Sequence, residues 1–418
     1  MRVIIEPSKI NGEISSPASK SMLQRAIAAA FLTEEKVVIN GYTSSADADA
    51  VLDLVKSLGA EVKIVDDQIE ITPLKNSFST KLFIGESGLG IRLFAPILAL
   101  FDKEFILNAG GTLQNRPMAL VEKVLKANDV HCTTNKGQAP LHIKGPLKGG
   151  KLNFDASEGS QLLSGLLMAL PKLKADSELV VSNLKSKPYI DMTISLLNDF
   201  GIEIGNENYC RFQIKGNQNY YAKSYNVEGD WSGAAFLLVA AAISGSVKLT
   251  NLNTKSFQGD KAIVDILKQV GSQIIQDEQS VFIKKNELKC FKFDATETPD
   301  LFPPLAALAA CCNGNSRIKG VHRLQFKESN RAEAILDIFK KIGLSIEIIG
   351  DEMIIEGGKP NGGIISSFHD HRMAMMAAVL GLVSKNPIVI TESESIQKSY
   401  PGFYSDLRKL GAICRNLD

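Results

Sequence analysis

Basic residues with hydroxyl neighbours stand where an apolar helix is predicted to begin. Ser19, Lys20 and Ser21 precede a long apolar run, and Arg25 follows about one turn later. Backbone N–H groups at a helix start are unpaired and carry partial positive charge, so an anion is stabilised there. The segment therefore predicts a cradle for an oxyanion, and a solvated first turn is an equally good interpretation of it alone.

Two further helix starts in the first half carry weaker signals. Gly88 lies in a glycine-rich turn, and glycine permits a close approach of the backbone to a ligand. Ser160 and Gln161 precede another apolar run, where a hydroxyl and an amide could bind a phosphate or hydroxyl groups. Helix capping explains Ser160 equally well.

In the second half, carboxylates occur beside the cations. Asp300 precedes an alanine-rich helix, where an N-cap is the default interpretation, but a carboxylate there could also accept a proton from a hydroxyl. Lys327, Glu328 and Arg331 lie within one helical turn. Since Glu328 and Arg331 are three residues apart, they could form a surface ion pair that contributes little.

Another predicted helix start, in the last part of the chain, contains two histidines. His369 and His371 suggest a metal site, but further ligands at a matching spacing are missing from the neighbouring sequence, so we discount it. Asp370 is the expected N-cap, and Arg372 offers a planar fork to a carboxylate or a phosphate.

The elements that must position these residues are repeated six times. A helix end, a terminating residue and a β-like run recur with a period of about 70 residues, longer than solenoid repeats. The terminating residues, which need a left-handed backbone, are Gly59, Asp129, Gly201, Gly271, Gly343 and Gly411. Apolar helices begin at the same period, near Lys20, Gly88, Ser160, Ser232, Asp300 and Asp370. This predicts six compact α/β modules in two lobes of three.

The domain boundaries follow from two segments poor in apolar residues. Residues 11–17 and 216–229 are predicted to connect the lobes, so that 18–226 form one lobe and 1–17 with 227–418 form the other. Facing lobes would aim their helix starts into one cleft. Its cations, set against Asp300 and Glu328, would repel one another unless polyanions are bound, which predicts two small, highly charged substrates.

Composition excludes several classes of function. The 418 residues carry a net charge of +1, which gives no general field for nucleic acid or acidic membranes. The amino terminus lacks the features of a signal peptide, and the six cysteines show no metal or disulfide spacing. We expect a cytosolic monomer with small-molecule partners.

These motifs together resemble those of the 5-enolpyruvylshikimate-3-phosphate synthase family over nearly the whole chain. The matching segments are Ser19-Lys20-Ser21 with Arg25, Arg116-Pro117-Met118, Ser160-Gln161, Ser186 to Asp191, Pro299-Asp300, Lys327-Glu328-Ser329 with Arg331, and Asp370 to Met375. The resemblance implies an α/β fold of two lobes, each built from three βαβαββ modules. It also implies transfer of the enolpyruvyl group of phosphoenolpyruvate to the 5-hydroxyl of shikimate 3-phosphate, a step toward chorismate and the aromatic amino acids.

By the same resemblance, residues take specific roles. The shikimate 3-phosphate site would comprise Lys20, Ser21, Arg25, Ser160, Gln161, Ser186, Tyr189, Asp300 and Lys327. The phosphoenolpyruvate site would comprise Lys20, Gly88, Arg116, Gln161, Arg331, Arg372 and Lys398. Lys20, Asp300 and Glu328 would be catalytic: Asp300 takes the hydroxyl proton, and Glu328, helped by Lys20, protonates the methylene carbon. This chemistry needs neither a metal nor an organic cofactor.

The chain departs from the family pattern in its glycine-rich segment. Glu86 and Leu89 stand where the family usually has asparagine and threonine, which predicts an altered affinity for phosphoenolpyruvate. Gly159 replaces a serine, and Gln325 stands where arginine is common.

Three alternatives remain at this stage. The sister transferase acting on UDP-N-acetylglucosamine often has a reactive cysteine in its first lobe, and the candidate here, Cys132, lies in a strand-like segment. A catalytically silent anion-binding protein would be consistent with Glu86 and Leu89. The RNA 3′-phosphate cyclase relatives of the fold need a nucleophilic histidine and a nucleotide site, and neither is evident in the sequence.

Overall fold

The computed structural model describes residues 1–73 and 79–417, and the chain divides into two compact units. Unit 1 comprises Met1–Pro17 with Glu228–Asp418, and unit 2 comprises Ala18–Val227. Among the described residues, each unit has three four-stranded sheets and its own hydrophobic core.

The first half of the element order contains two strands of unit 1 and all of unit 2. The elements are β1 (Val3–Glu6), β2 (Asn11–Ser15), α1 (Lys20–Leu32), β3 (Val37–Asn40), α2 (Ala46–Ser57), β4 (Ala60–Val65), β5 (Gln68–Pro73), β6 (Lys81–Phe83), α3 (Gly88–Leu98), β7 (Glu104–Asn108), α4 (Ala119–Lys126), β8 (His131–Asn135), β9 (Gln138–Lys144), β10 (Gly150–Asp155), α5 (Gln161–Ala169), β11 (Ser177–Ser182), α6 (Pro188–Asp199), β12 (Ile204–Glu207), β13 (Arg211–Ile214) and β14 (Ser224–Asn226).

The second half of the order completes unit 1. The elements are α7 (Trp231–Ser244), β15 (Ser246–Thr250), α8 (Ile263–Gln269), β16 (Gln273–Gln276), β17 (Ser280–Lys284), β18 (Lys292–Asp294), α9 (Phe302–Ala309), β19 (Asn315–Lys319), α10 (Arg331–Lys341), β20 (Ile346–Ile349), β21 (Glu352–Glu356), β22 (Gly363–Ser366), α11 (His371–Gly381), β23 (Ile388–Thr391), α12 (Phe403–Lys409) and β24 (Ile413–Asn416).

The sheets share one topology, which is the predicted βαβαββ module. In β6-β7-β9-β8, for example, β6 and β7 are parallel and joined through α3, whereas β9 is antiparallel to both β7 and β8. The orders β10-β11-β13-β12 and β18-β19-β21-β20 repeat this arrangement. Parallel neighbours need a long crossover connection, usually a helix, whereas antiparallel neighbours can be joined by a tight turn. The alternation of helices and hairpins along the chain follows from this pairing.

Three sheets are completed by strands distant in sequence. In unit 1, β2 pairs in parallel with β15, and β1 lies between β23 and β24, antiparallel to both. In unit 2, β14 pairs in parallel with β3 and so supplies the first strand of the first module. The amino-terminal segment therefore belongs to the same unit as the carboxyl-terminal half.

The six repeat-terminating residues adopt the predicted backbone conformation. Positive φ angles occur at Gly59, Asp129, Gly201, Gly271, Gly343 and Gly411. Asp129 has φ 61°, and aspartate tolerates the left-handed region better than most residues. The predicted repeat and its odd member are thus confirmed.

The first helix of each module is almost wholly buried. These are α1, α3 and α5 in unit 2 and α7, α9 and α11 in unit 1. α3 and α5 approach closely at Gly165, where an added Cβ would lie 2.7 Å from the carbonyl oxygen of Arg92. This contact sets the positions of two helix starts, Gly88 and Gln161, relative to each other.

The segments predicted to be irregular connections contain strands. Asn11–Ser15 forms β2, and Ser224–Asn226 forms β14. Both pair in parallel along a sheet edge, where main-chain bonds replace the apolar side chains by which strands are usually recognised. Within residues 1–73 and 79–417, no helix is both long and apolar enough to cross a membrane.

A buried and an exposed phenylalanine of unit 1 give a matched test of its core. Phe236 on α7 is fully buried and packs edge-to-face on Phe403, whereas Phe257 is 56% exposed. Replacing Phe236 by alanine should lower the free energy of unfolding by about 3–5 kcal/mol, because a cavity forms. Phe257→Ala should change it by about 0.5 kcal/mol or less. Urea unfolding measures both, and equal losses would contradict the core assignment.

Candidate active site

The start of α1 is capped and its lysine is paired. The Ser19 side chain accepts a hydrogen bond from the N–H of Met22, as an N-cap does. Lys20 Nζ lies 2.8 Å from Oδ2 of Asp47, and the lysine side chain is 15% exposed. Asp47 was not predicted from the sequence. It offsets the charge of Lys20 at the positive end of the helix, so a bound anion is not required to hold the lysine there.

Arg25 is buried and links three helices, α1, α5 and α6, through hydrogen bonds. Its guanidinium donates to Thr193 Oγ1 (2.8 Å), Ser164 Oγ (3.4 Å) and the carbonyl oxygens of Ser21 (2.8 Å) and Tyr189 (3.3 Å). Burial lowers the pKa of Arg25 to about 10. The sequence-predicted residues Ser21, Arg25 and Tyr189 are therefore brought together, and uncharged oxygen atoms hold the cation.

The glycine-rich turn closes tightly around Arg116. An added Cβ on Gly88 would lie 2.2 Å from Nη1 of Arg116, so the guanidinium rests directly on this glycine. Ser87 caps α3 by accepting from the N–H of Gly90, and its hydroxyl donates to Oε1 of Gln24 on α1. The starts of α1 and α3 are thus tied to each other.

Glu86, a departure from the family pattern, holds the turn that leads to Arg116. Its carboxylate accepts from the N–H of Thr112 (2.9 Å) and from Thr112 Oγ1 (2.8 Å). A Cβ on Gly111 would lie 2.2 Å from the Glu86 carboxyl carbon, and Gly111 has a positive φ. Leu89, the second departure, is packed in the core of unit 2. The carboxylate of Glu86 therefore tethers the turn at Thr112 to the glycine-rich segment.

Arg92 contacts two of the sequence candidates and was not itself among them. Its guanidinium donates to the carbonyl oxygens of Gly88 (3.0 Å) and Pro117 (2.9 Å) and to Oε1 of Gln161 (3.4 Å). It therefore links Gly88 to Gln161, both sequence candidates. The spacing in the sequence could have indicated it, because Arg92 follows Gly88 by four residues and therefore lies on the same helix face, one turn later.

Ser160 and Ser186 are buried at the starts of α5 and α6. Ser160 occupies the N-cap position of α5 but makes no side-chain capping bond, so capping does not explain it. Ser186 has a left-handed backbone, with φ 63°, and Tyr189 follows in the first turn of α6. A residue held in this region needs a specific environment.

In unit 1, a guanidinium is surrounded by carboxylates. Arg331 is 1% exposed and donates to Asp370 Oδ2 through Nε (2.8 Å), to Asp300 Oδ1 through Nη1 (2.8 Å) and to Glu328 Oε2 through Nη2 (2.6 Å). We call these four residues, with Lys327 and Arg372, the Arg331 cluster. The Glu328–Arg331 pair is therefore buried, unlike the surface pair considered from the sequence.

Asp300 joins three cations of the cluster. Besides Arg331, it accepts from Nη2 of Arg372 (3.0 Å) and lies 3.6 Å from Nζ of Lys327. Although burial raises the pKa of Asp300, Arg372, Lys327 and Arg331 together lower it well below the usual range. Asp300 is thus not the N-cap expected by default, because its carboxylate is turned to the cations rather than to backbone N–H groups.

Asp370 fixes the cluster to α11. It is fully buried, caps this helix by accepting from the N–H of Arg372 (2.9 Å), and also accepts from Ser329 Oγ (3.1 Å). The capping prediction is confirmed, and the same carboxylate additionally binds Arg331. The start of α11, the 326–330 segment and the start of α10 are therefore joined at one residue.

The charges of unit 1 differ from the sequence expectation. Lys327, Arg331 and Arg372 were expected to repel one another until polyanions bind. In the structure, Asp300, Glu328 and Asp370 are paired with them. The expectation was wrong here because Asp300 and Asp370, which are distant from Arg331 in the sequence, pair with it in addition to Glu328.

Asp260 is a further carboxyl that the sequence did not indicate. It is 1% exposed on the short turn Gly259–Ala262 and accepts a hydrogen bond from Ser232 Oγ at the start of α7. Burial and the negative charge of Asp300 raise the pKa of Asp260 to about 6, and Arg372 lowers it in part.

Lys398 ends the short turn Ser393–Lys398 and is 7% exposed. The following Tyr400 packs on α7, where a Cβ on Gly233 would lie 3.0 Å from the ring.

Among the residues that the structure describes, no group of three or more histidine, cysteine, aspartate or glutamate side chains could hold a metal ion.

Comparison with known proteins identifies the family. The profile of the family described as EPSP synthase (3-phosphoshikimate 1-carboxyvinyltransferase) matches residues 4–407. A 3-phosphoshikimate 1-carboxyvinyltransferase of Clostridium perfringens is 37% identical over 420 residues, covering 99% of each chain. One from Clostridium acetobutylicum is 38% identical, covering 98% of this chain and 97% of its own. EPSP synthase from Acinetobacter baumannii has a similar structure, with TM-score 0.84 and 26% identity over 99% of this chain and all of its own. The chain belongs to the EPSP synthase family.

The cysteines provide a test that does not depend on substrates. Cys132 is buried in β8, and burial raises its pKa to about 12, whereas Cys210 and Cys290 are exposed. Because the thiolate is the reactive form, a thiol reagent at pH 8 should label Cys210 and Cys290 and leave Cys132 unlabelled until the chain is unfolded. Peptide mapping locates the label, and a variant with Cys210→Ser and Cys290→Ser is the control. Rapid labelling of Cys132 in the folded control would contradict this assignment.

Proposed function

We propose that this chain transfers the enolpyruvyl group of phosphoenolpyruvate to the 5-hydroxyl of shikimate 3-phosphate and releases phosphate. The single observation that carries the proposal is that Asp300 and Glu328 meet on one buried guanidinium, that of Arg331. Addition followed by elimination needs two carboxyl groups that move protons at different atoms, and family membership along 4–407 supports this reaction.

We assign the shikimate 3-phosphate site chiefly to residues of unit 2. Ser21, Arg25, Ser160, Gln161, Ser186 and Tyr189 are the proposed ligands there, with Lys20 reaching both substrates. The supporting feature is the common attachment of α1, α5 and α6 to Arg25. From unit 1 we add Asp300 and Lys327 to the proposed ligands.

We assign the donor to arginines and lysines from both units. Gly88, Arg116 and Gln161 in unit 2, with Lys20, and Arg331, Arg372 and Lys398 in unit 1 are the proposed phosphoenolpyruvate ligands. Arginine presents two parallel N–H donors that match a carboxylate or a phosphate. The Arg92 contacts to Gly88 and Gln161 support adding Arg92 to this set.

The proton transfers can be written with these residues. In the addition, Asp300 takes the proton of the 5-hydroxyl while the oxygen of that hydroxyl bonds to C2 of the donor. Protonated Glu328 gives its proton to the methylene carbon. In the elimination, Glu328 removes a proton from the new methyl group, the C–O bond to phosphate breaks, and Asp300 returns its proton to the leaving phosphate. Positive side chains stabilise the charge that develops on that phosphate.

The rival functions predict different acceptors or no turnover. The burial and raised pKa of Cys132 disfavour a sister transferase that depends on a reactive cysteine at this place. Glu86 and Leu89, which had favoured a silent protein, are accommodated as a tether and a core residue. Assays with UDP-N-acetylglucosamine and shikimate 3-phosphate as alternative acceptors decide between these functions.

Replacing Glu328 tests the proton assignment. Phosphate release from phosphoenolpyruvate with shikimate 3-phosphate should have a kcat at least about 100-fold lower in Glu328→Gln, because a general acid–base group is lost. The matched control is Glu347→Gln, at an exposed position on β20. Retained turnover in Glu328→Gln, with the control unchanged, would contradict the assignment.

Replacing Glu86 tests its role as a tether for Arg116. Glu86→Ala should raise KM for phosphoenolpyruvate by about tenfold with little change in kcat, since two hydrogen bonds that fix the Gly111–Asn115 turn are lost. The amide oxygen of Glu86→Gln can accept both bonds, so that variant should remain close to wild type. Equal KM values for the alanine and glutamine variants would contradict the role of these hydrogen bonds in phosphoenolpyruvate binding.

A further inference from the structure

The formal charges of the six side chains in the Arg331 cluster sum to zero. Three carboxylates, Asp300, Glu328 and Asp370, are paired with Lys327, Arg331 and Arg372. A polyanion that approaches such a balanced group gains little Coulomb energy from it. The donor gains the full attraction of these arginines when some of the protein carboxylates leave them.

Asp300 occupies the two guanidinium groups in the way a small carboxylic acid would. Its Oδ1 accepts from Arg331 and its Oδ2 from Arg372, at 2.8 and 3.0 Å. A carboxylate of the donor would bring the same functional group to the same N–H donors. An N–H group that binds Asp300 cannot direct a second strong hydrogen bond at the same time, so a donor carboxylate that uses the same groups must displace Asp300 from them.

The three carboxylates differ in how firmly they are held. Asp370 is fully buried and fixed by Arg331 Nε, by Ser329 and by the backbone of α11. Asp300 and Glu328 are 22% and 13% exposed, and Glu328 lies in the 326–330 segment, outside helices and strands. Asp370 can therefore keep Arg331 in place while Asp300 and Glu328 turn away.

We propose that the carboxylate of the donor exchanges with Asp300 and Glu328 on Arg331 and Arg372, so that donor binding itself releases the two proton-transferring groups. This inference rests on the proposed function and adds an order to it. Whichever substrate binds first, the acceptor hydroxyl loses its proton only after the donor has bound to the arginines.

The release changes the proton affinity of Asp300 in the required direction. While Arg372, Lys327 and Arg331 face it, its pKa lies well below the usual range and it is a weak base. Separation from the two guanidiniums removes most of that stabilisation of the anion, so its pKa rises. The other charged groups that face it, Glu328 and Asp260, are negative and act in the same direction.

The exchange predicts that removing the competitor strengthens binding of a carboxylate. The probe is phospholactate, which has the carboxylate and phosphate of phosphoenolpyruvate but no vinyl group, measured by calorimetry with saturating shikimate 3-phosphate. In Asp300→Asn it should bind about tenfold more tightly than in wild type, whereas inorganic phosphate, which lacks a carboxylate, should change by about twofold or less.

A matched variant separates exchange from a general change of charge. Asp260→Asn removes a neighbouring carboxyl group that is held by Ser232, and it should leave the ratio of the phospholactate and phosphate affinities unchanged. If Asp300→Asn is poorly folded, Glu328→Gln provides a second test in the same direction. Unchanged or weaker phospholactate binding in the folded variant, or equal tightening for phosphate, would overturn the exchange.

The outcomes also distinguish this inference from the proposed function. Wild-type turnover of phosphoenolpyruvate and shikimate 3-phosphate together with unaltered phospholactate affinity in Asp300→Asn would retain the function and reject the exchange. Absence of both turnover and phospholactate binding in the wild type would reject both.

Discussion

The chemistry of unit 1 depends on one buried positive charge. A guanidinium removed from water is strongly destabilising unless carboxylates and hydrogen bonds compensate for the lost hydration. Arg331 meets this requirement with three carboxylates. Burial alone would lower the pKa of Arg331, but Asp370, Glu328 and Asp300 outweigh burial and raise that pKa above the ordinary value. Each partner belongs to a different segment, so the same pairing that keeps the charge buried also joins the starts of α10 and α11 to the segment before α9.

Unit 2 handles a buried arginine differently. Arg25 is held by two hydroxyl groups and two carbonyl oxygens, so its hydrogen bonds are satisfied while its charge is not neutralised. The lowered pKa reflects that burial. The two units therefore repeat one architecture and one placement of helix starts, but they differ in electrostatics: uncharged oxygens hold Arg25, and carboxylates hold Arg331. The proposed function would use this difference, because it assigns the phosphate-bearing acceptor to the neighbourhood of Arg25 and proton transfer to that of Arg331.

Local signals in the sequence were sufficient for the repeat. A helix end followed by a residue with a left-handed backbone is encoded within a few positions, and Asp129 conforms to it as well as the glycines do. Five of the six predicted helix starts lie within one residue of the observed ones, and the sixth, that of α9, lies two residues away. β2 and β14 were missed because their pairing partners, β15 and β3, are distant in the chain.

The same limit applies to the site. Motifs identified which residues carry charge and one local pair, Glu328 with Arg331, but not the pairs that join distant segments. The partners Asp47, Thr193 and Ser164 were not predicted, and Thr193 and Ser164 are over a hundred residues from Arg25. For Asp300, a local rule favoured capping, whereas the nearby guanidiniums of Arg331 and Arg372 determine its orientation. Long-range ion pairs outweigh a single capping bond because each involves two full charges in a partly buried place.

The most direct test of the carboxylate-bound arginine is a pair of crystal structures, one without ligands and one with shikimate 3-phosphate and phospholactate. Without ligands, Arg331 should contact Asp300, Glu328 and Asp370. With both ligands, Arg331 should keep Asp370, and Asp300 should lie more than about 4 Å, beyond ion-pair distance, from Arg331 and Arg372. A ligand-free structure in which Arg331 contacts none of the three carboxylates, or a complex in which Asp300 still binds both arginines, would contradict the account.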